Sequence, residues 1–366
     1  MSFVDEVKNA VTPRAALLVI GVLALQLLFI TSYVGALHHP KPHDIKVAVV
    51  APEQLAAPVA DRLDTLPGSP LDPRTLTDER VARDQMLNRE VDAALVVDPR
   101  STTDTLMIAS GQGTSETQAI VRIFTEVERQ QQRTLRLDDV APVSAQDAGG
   151  LTSFYLVVGW CVGGYLCAAV LAISAGARPA DRKRASIRLL VMAAYAVVAG
   201  LFGTLIAGPV LDALPGSIGA LWGLGALTVF AVGAATLALQ SVFGIVGVGV
   251  AILLVVIAGN PSAGGAYPPP LLPEFWRTIG PALPPGAATW TARSIAYFRG
   301  NSVAGPTLVL ALWAAVGTIV TLVFSSFRRR DEIDALVRRG GTPLPVAPPN
   351  APDRTSYIRT ERLSEG

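Results

Sequence analysis

Charge, cysteine and histidine are all scarce in this chain of 366 residues. Asp, Glu, Lys and Arg make up 16% of it, against about 25% in a soluble globular domain. The deficit falls after residue 151, where long apolar runs take over, so the expected solvent there is a membrane and not a large dry core. Net charge is +1, which points to neither nucleic acid nor an acidic partner. The two cysteines, Cys161 and Cys167, share one apolar run. Six residues apart on a helix, they face about 240° apart and cannot pair within it, so they read as small buried apolar groups. The polar part of the chain has no cysteine, which excludes a disulfide scaffold there. The three histidines, His38, His39 and His43, all lie in one His-His-Pro-Lys-Pro-His segment. Pro40 and Pro42 stiffen it and only Asp44 adds a carboxylate, so it reads as a solvated linker and no metal is expected.

Chemistry-bearing motifs are also missing. There is no Gly-x-x-x-x-Gly-Lys-Ser/Thr loop, so the chain is not expected to bind ATP in that way. Asp98, Asp104, Asp138 and Asp139 read as caps and solvated turns, not as paired acid and base. Asp147, Asp212, Glu274 and Arg293 are scattered and read as helix ends or interfacial anchors. No cofactor site and no enzyme activity are expected. The apolar runs themselves hold almost no ionisable side chain, which counts against a proton relay or an ion pump.

What is abundant is apolar length: 51% of residues are hydrophobic and mean hydropathy is +0.44. A bilayer core about 30 Å thick needs about 20 apolar residues to cross. Residues 14–37 supply one span, too long for a signal-peptide core and without a small-residue cleavage site, so it is expected to stay as an anchor. A polar block of residues 38–150 follows. Residues 151–327 then form a five-helix membrane domain, with spans over about 151–175, 187–210, 218–238, 242–258 and 304–327. The run 218–258 is too long for one span, and the turn is placed at its only central polar pair, Gln240-Ser241. The expected fold class is therefore a multi-pass α-helical membrane protein of six transmembrane helices, with a small α/β extracytoplasmic domain between helices 1 and 2.

Basic residues near span ends set the orientation. Arg178, Arg182, Lys183, Arg184 and Arg188 sit between spans two and three, and Arg328, Arg329 and Arg330 follow span six. With six spans these lie on one side, which places both termini in the cytoplasm and residues 38–150 outside a cell membrane.

Within the polar block, strands are expected over 45–51, 91–97 and 105–109. Helices are expected over 54–66, over 78–89 capped by Thr77 or Asp78, and over 114–137 capped by Thr114 or Ser115. In the apolar part, Gly159 with Gly163 and Gly219 with Gly223 form GxxxG faces for close helix packing or a dimer seam. Residues 268–298 are apolar, aromatic and too broken by proline to span, so they read as an external interfacial or re-entrant segment; Trp276, Arg277, Pro284, Pro285 and Gly286 fall in it. Residues 1–13 suit a cytoplasmic amphipathic helix lying on the bilayer, and 328–366 a cytoplasmic, largely disordered tail.

This combination resembles the membrane permease subunits of type-2 ABC exporters, in the branch related to the phage-infection-protein family. The resemblance lies in the cytoplasmic helix, the single span, the external domain and the five further spans. It also lies in Ile45-Lys-Val-Ala-Val-Val, in Val91-Asp-Ala-Ala-Leu-Val-Val-Asp-Pro99 and in Leu283-Pro-Pro-Gly-Ala287. It implies a half-transporter that moves a small amphipathic or lipid-like compound outward. It further implies an ATPase on a separate subunit, met by the N-terminal helix and by Arg178, Arg182, Lys183 and Arg184; two permease copies around one pathway; and an exit shaped by 268–298. The competing reading is a non-transporting surface protein, with a phage- or protein-binding ectodomain or an accessory role in secretion, although five extra spans exceed what an anchor requires.

Overall fold

A computed structural model describes residues 12–176, 179 and 181–338. The expected amphipathic helix (residues 1–11 of it), Arg178 and the tail beyond 338 lie outside the described residues. Among the described residues five helices are long and apolar enough to cross a membrane: Ala15–Leu37, Thr152–Ser174, Arg182–Val210, Ile218–Phe243 and Ala304–Ser326. A shorter apolar helix, Val246–Ser262, stands where a further span was expected.

The first helix, α1 (Pro13–Leu37), starts with Thr12 as its cap and Pro13 in its first turn. It leads into a five-stranded sheet. The strands are β1 (Ile45–Val50), β2 (Leu71–Leu76), β3 (Ala93–Val96), β4 (Thr103–Ile108) and β5 (Thr134–Asp139). Their order is β2-β1-β3-β4-β5, and only the β3–β4 pair is antiparallel. Helices α2 (Glu53–Asp64) and α4 (Thr114–Gln130) bury Leu63, Ile120 and Phe124 against one face of the sheet, over Val47, Val49, Leu95 and Leu106. Helix α3 (Glu79–Leu87), capped by Asp78, packs Ala82 and Met86 on the other face. The two edge strands were not expected. β2 contains Pro73, tolerable only at an edge. β5 takes residues assigned to the helix over 114–137, because the chain turns at Gln132 (φ 56°). The cap of α4 is Gly113, not Thr114 or Ser115.

The bundle continues with α5 (Thr152–Ala175), α6 (Arg182–Leu205, extended by a π-turn to Val210) and α7 (Ile218–Phe243). Next come α8 (Val246–Ile252, continuing as a π-helical stretch to Gly259), α9 (Glu274–Ile279), α10 (Pro284–Tyr297) and α11 (Ala304–Arg338). α7 is the axis, packed by α5, α6 and α11. Its turn into α8 lies at Gly244, in a left-handed conformation (φ 65°), and not at Gln240-Ser241. Both of those polar side chains stay inside the helix, with Gln240 donating to Ala168 O and Ser241 to Leu237 O. The π-stretch frees carbonyls for α1: Ser32 donates to Ile257 O, and Tyr33 to Val256 O at 3.4 Å. α11 runs on past 327 to Arg338, into the first part of the expected tail; no proline lies between Pro306 and Pro343 and no glycine between Gly317 and Gly340 to stop it.

Of the four glycines in the expected GxxxG faces, Gly163 alone makes a close approach within the described residues. A Cβ at Gly159 or Gly223 would meet nothing within 4 Å, and one at Gly219 only Ser217. Gly163 faces Tyr195. The tight crossings fall elsewhere: a Cβ at Gly200 would sit 2.5 Å from Ala226 N, at Gly164 2.7 Å from Val229 O and at Gly317 2.6 Å from the Ala234 backbone. Cys161 is buried and Cys167 half-buried, both free.

Candidate functional site

The sheet domain meets the bundle at one end of its strands. His43 N–H donates to Pro270 O at 2.9 Å, Arg277 pairs with Asp44 at 2.9 Å, and Ser115 donates to Ala266 O at 2.8 Å. The element that joins the two parts is α10. Pro284 and Pro285 fill its first turn, where missing N–H groups cost nothing. That turn lies among the helices, where Trp313 of α11 donates to Ala282 O at 2.9 Å. The other end leaves the bundle, and Phe298 (0% exposed) enters the sheet-domain core beside Met86 and Met107. The second half of the segment 268–298, from Pro284 on, is a largely buried connector with Ala287, Ala288 and Ala292 in the bundle core, while Pro273, Glu274 and Phe275 in its first half are exposed. Trp276 and Arg277 remain at its half-exposed edge, while Pro284, Pro285 and Gly286 are buried.

Two arginines dominate the junction. Arg89 follows α3 at the position after its C-cap, where Arg89 N–H bonds Met86 O and Glu90 N–H bonds Gln85 O. This Schellman closure needs a left-handed residue, usually glycine. Arg89 adopts it at φ 59°, at a cost of about 1 kcal/mol. Its guanidinium is 3.4 Å above the Trp290 ring and 4.9 Å from Phe298, and donates to Trp290 O and Ser294 Oγ, both at 2.9 Å. Arg293, one turn along α10, donates to Gly264 O at 2.6 Å, Gly265 O at 3.0 Å and Gly150 O at 3.4 Å. At 3% exposed it is no interfacial anchor, which corrects the expectation for it. Neither arginine is ion-paired to a carboxylate among the described residues.

The acids beside them are otherwise engaged. Asp92 accepts from Gln112 Nε2 at 2.6 Å and from Lys46 N–H at 3.0 Å. Glu116 accepts from the same Gln112 amide at 3.2 Å. Burial first, then the charge of Asp92, pushes Glu116 up to about 8, and burial also raises Asp92. Burial, then the charge of Arg293, pushes Arg89 down to about 9, so it stays cationic at neutral pH. Asp147 is a helix end as expected: it accepts from Leu151 N, Thr152 N and Thr152 Oγ1, and Tyr297 OH donates to its other oxygen at 3.1 Å. Asp212 lies in a turn at φ 49° and Glu274 in the first turn of α9.

These groups border a cavity of about 690 Å³ between the sheet domain and the bundle. Arg89, Asp92, Gln112 and Arg293 line it together with Trp290 and a run of prolines. A second, more open groove of about 680 Å³ runs between α5 and α6, where Gly159 and Gly163 lie beside Trp160 and Tyr195. Arg182, Lys183 and Arg184 sit apart from both, in the exposed first turn of α6, capped by Asp181. Sequence reasoning missed Arg89, Asp92, Gln112 and Glu116. The one local signal was Arg89, a non-glycine residue closing a helix that ends in Leu-Asn. Among the described residues no cluster of His, Cys, Asp and Glu suits a metal ion. Set against known proteins, the chain is matched by no protein-family model, no curated protein and no solved structure.

Proposed function

We propose that the protein is the permease subunit of an exporter, passing a small amphipathic compound outward through a cell membrane and driven by an ATPase on a separate chain. In this reading α8 makes the sixth crossing, residues 38–150 lie outside and both ends of the chain face the cytoplasm. The observation that carries it is the path of α10. A cavity sits where the sheet domain meets the apolar helices, and a single buried helix ties the bundle interior to the sheet-domain core beside it. Any tilt of the helices is thereby passed to the cavity wall, as alternating access requires. The placement of Arg182, Lys183 and Arg184 supports a cytoplasmic partner, because α5 and α6 meet there at the bundle end away from the sheet. The faces left open at Gly159, Gly219 and Gly223 leave room for a second permease copy.

The test is recovery of a nucleotide-binding subunit with the full chain, solubilised from its own membranes in mild detergent. The subunit is expected to co-purify, and to be lost when Arg182, Lys183 and Arg184 are all changed to alanine while the permease still elutes as a folded species. Repeated purification of intact permease without such a subunit would sink the reading.

A further inference from the structure

We propose that the cavity between the sheet domain and the bundle holds the acid head of a single-chain amphiphile, a carboxylate or phosphate on one apolar tail, through the guanidinium groups of Arg89 and Arg293. The proposal names a substrate class for the exporter and rests on the transport reading only in treating the bound molecule as cargo.

Four observations converge on it. First, both arginines are buried (8% and 3% exposed) and line the cavity, yet each spends its hydrogen bonds on carbonyls or a hydroxyl, and the Nε of each has no partner. A buried cation is costly unless an anion offsets it. The carboxylates within reach, Asp92 and Glu116, are tied to Gln112 and form no ion pair with either arginine. Second, two helix N-termini border the same space: Gly286, the first residue of α10 to carry an N–H after Pro284 and Pro285, and Ala304 and Gly305 at the start of α11. First-turn N–H groups have no intrahelical acceptor and carry the positive end of the helix dipole. Guanidinium groups and helix ends therefore add to one sign of potential. Third, much of the remaining lining is apolar, with Trp290, Pro268, Pro281 and Pro306 in it, which suits a hydrocarbon tail. Fourth, about 690 Å³ falls in the range of about 300–1,000 Å³ usual for small-molecule sites. The first turn of the apolar helix α11, at Ala304, Gly305 and Pro306, is part of the cavity lining.

The full chain, embedded in nanodiscs of phosphatidylcholine, is titrated with tritiated dodecanoate, with empty nanodiscs subtracted. Saturable binding of one probe per chain is expected. Dodecyl phosphate should displace it at least tenfold better than dodecanol or dodecyltrimethylammonium, which share the tail and lack the negative head. Arg89→Gly should weaken binding at least tenfold while leaving helicity and elution unchanged, because glycine suits the left-handed turn that Arg89 occupies. Arg89→Lys should recover part of the loss. Adding phosphatidylglycerol to the nanodiscs separates two sources of the same chemistry: displacement identifies the membrane's own lipid, and no displacement identifies a free amphiphile. Equal displacement by dodecanol, or unchanged affinity in folded Arg89→Gly, overturns the proposal and leaves the arginines as a domain latch. The measurement contains no ATPase, so a failed recovery of that partner leaves this result standing, and a failed titration leaves the transport reading standing with another cargo.

Discussion

The two ends of the sheet domain treat an arginine in opposite ways, Arg89 being buried and Arg133 half-buried. At the end away from the bundle, Arg133 forks onto Asp104 with two bonds of 2.6 Å and lies 3.8 Å from Glu128. Asp104, 2% exposed, also accepts the Asp98 N–H at 3.0 Å, so it is a paired internal group and not the solvated turn residue its sequence position suggests. At the end facing the bundle, Arg89 has aromatic faces, a carbonyl and a hydroxyl, and no carboxylate fork. The first arrangement closes its own electrostatics and closes the start of β4 against the turn before β5. The second leaves positive charge directed at a cavity. A charge compensated inside one domain is structural; one left open where two parts meet is available to something that comes and goes.

That contrast breaks or holds on stability first. Asp104→Ala takes the forked acceptor from the half-buried Arg133 guanidinium and from the Asp98 N–H, and is expected to cost about 2–3 kcal/mol, read by urea unfolding of the full chain in detergent. Arg89→Gly removes the charge itself, leaves only the Trp290 carbonyl and the Ser294 hydroxyl without their donor, relieves the left-handed backbone and is expected to cost only about 1 kcal/mol. A loss at Arg89 as large as at Asp104 would place both arginines in the same structural class and end the comparison.

The bundle offers a second contrast, in glycines. Gly200→Val forces side-chain carbons into the α7 backbone and is expected to cost about 2–3 kcal/mol. Gly223→Ala meets open space in this chain and should stay within about 0.5 kcal/mol. Thermal unfolding in detergent compares the two. If Gly223→Ala proves as costly as Gly200→Val, that face is covered in the working protein, and light scattering of the variant should then show a smaller assembly.

Much of the frame was legible in the sequence because its signals are long and periodic. The apolar runs, the central strands β1, β3 and β4, and the three sheet-domain helices all carry such signals. The edge strands were hidden for a physical reason: β2 and β5 are short and polar, and β2 contains Pro73, so neither has an apolar face to read. α8 starts one turn later than its polar pair suggested, because Gln240 donates to Ala168 O of α5, Ser241 donates to Leu237 O of its own helix, and Gly244 makes the bend. The junction was illegible altogether. Arg89, Gln112 and Glu116 come together with Arg293 across nearly two hundred residues of sequence, and no spacing links them. Arg293 alone was noticed, and its proline-broken surroundings pointed to a surface when the prolines in fact begin a buried helix.

The finest test of the contrast is pH. Glu116 sits beside the two arginines, Asp92 and Gln112, and burial pushes it up to about 8. In the unfolded chain an ordinary glutamate titrates near about 4.3. Between those values the folded protein holds a proton that the unfolded chain has released, so stability declines as pH rises through the window and levels off above about 8. Glu116→Gln carries no such proton and keeps the amide-sized group against Gln112. The melting temperatures of wild type and variant are therefore expected to lie close together near pH 5 and to separate steadily up to about pH 8, with the variant the more stable. Glu128, pushed up to about 7 by burial and by Asp104, titrates in both proteins and cancels from the difference. A constant difference from pH 5 to 9 would mean that Glu116 is ionised throughout. The junction would then hold its own counter-ion as the far end does, and the open charge at Arg89 would disappear with it.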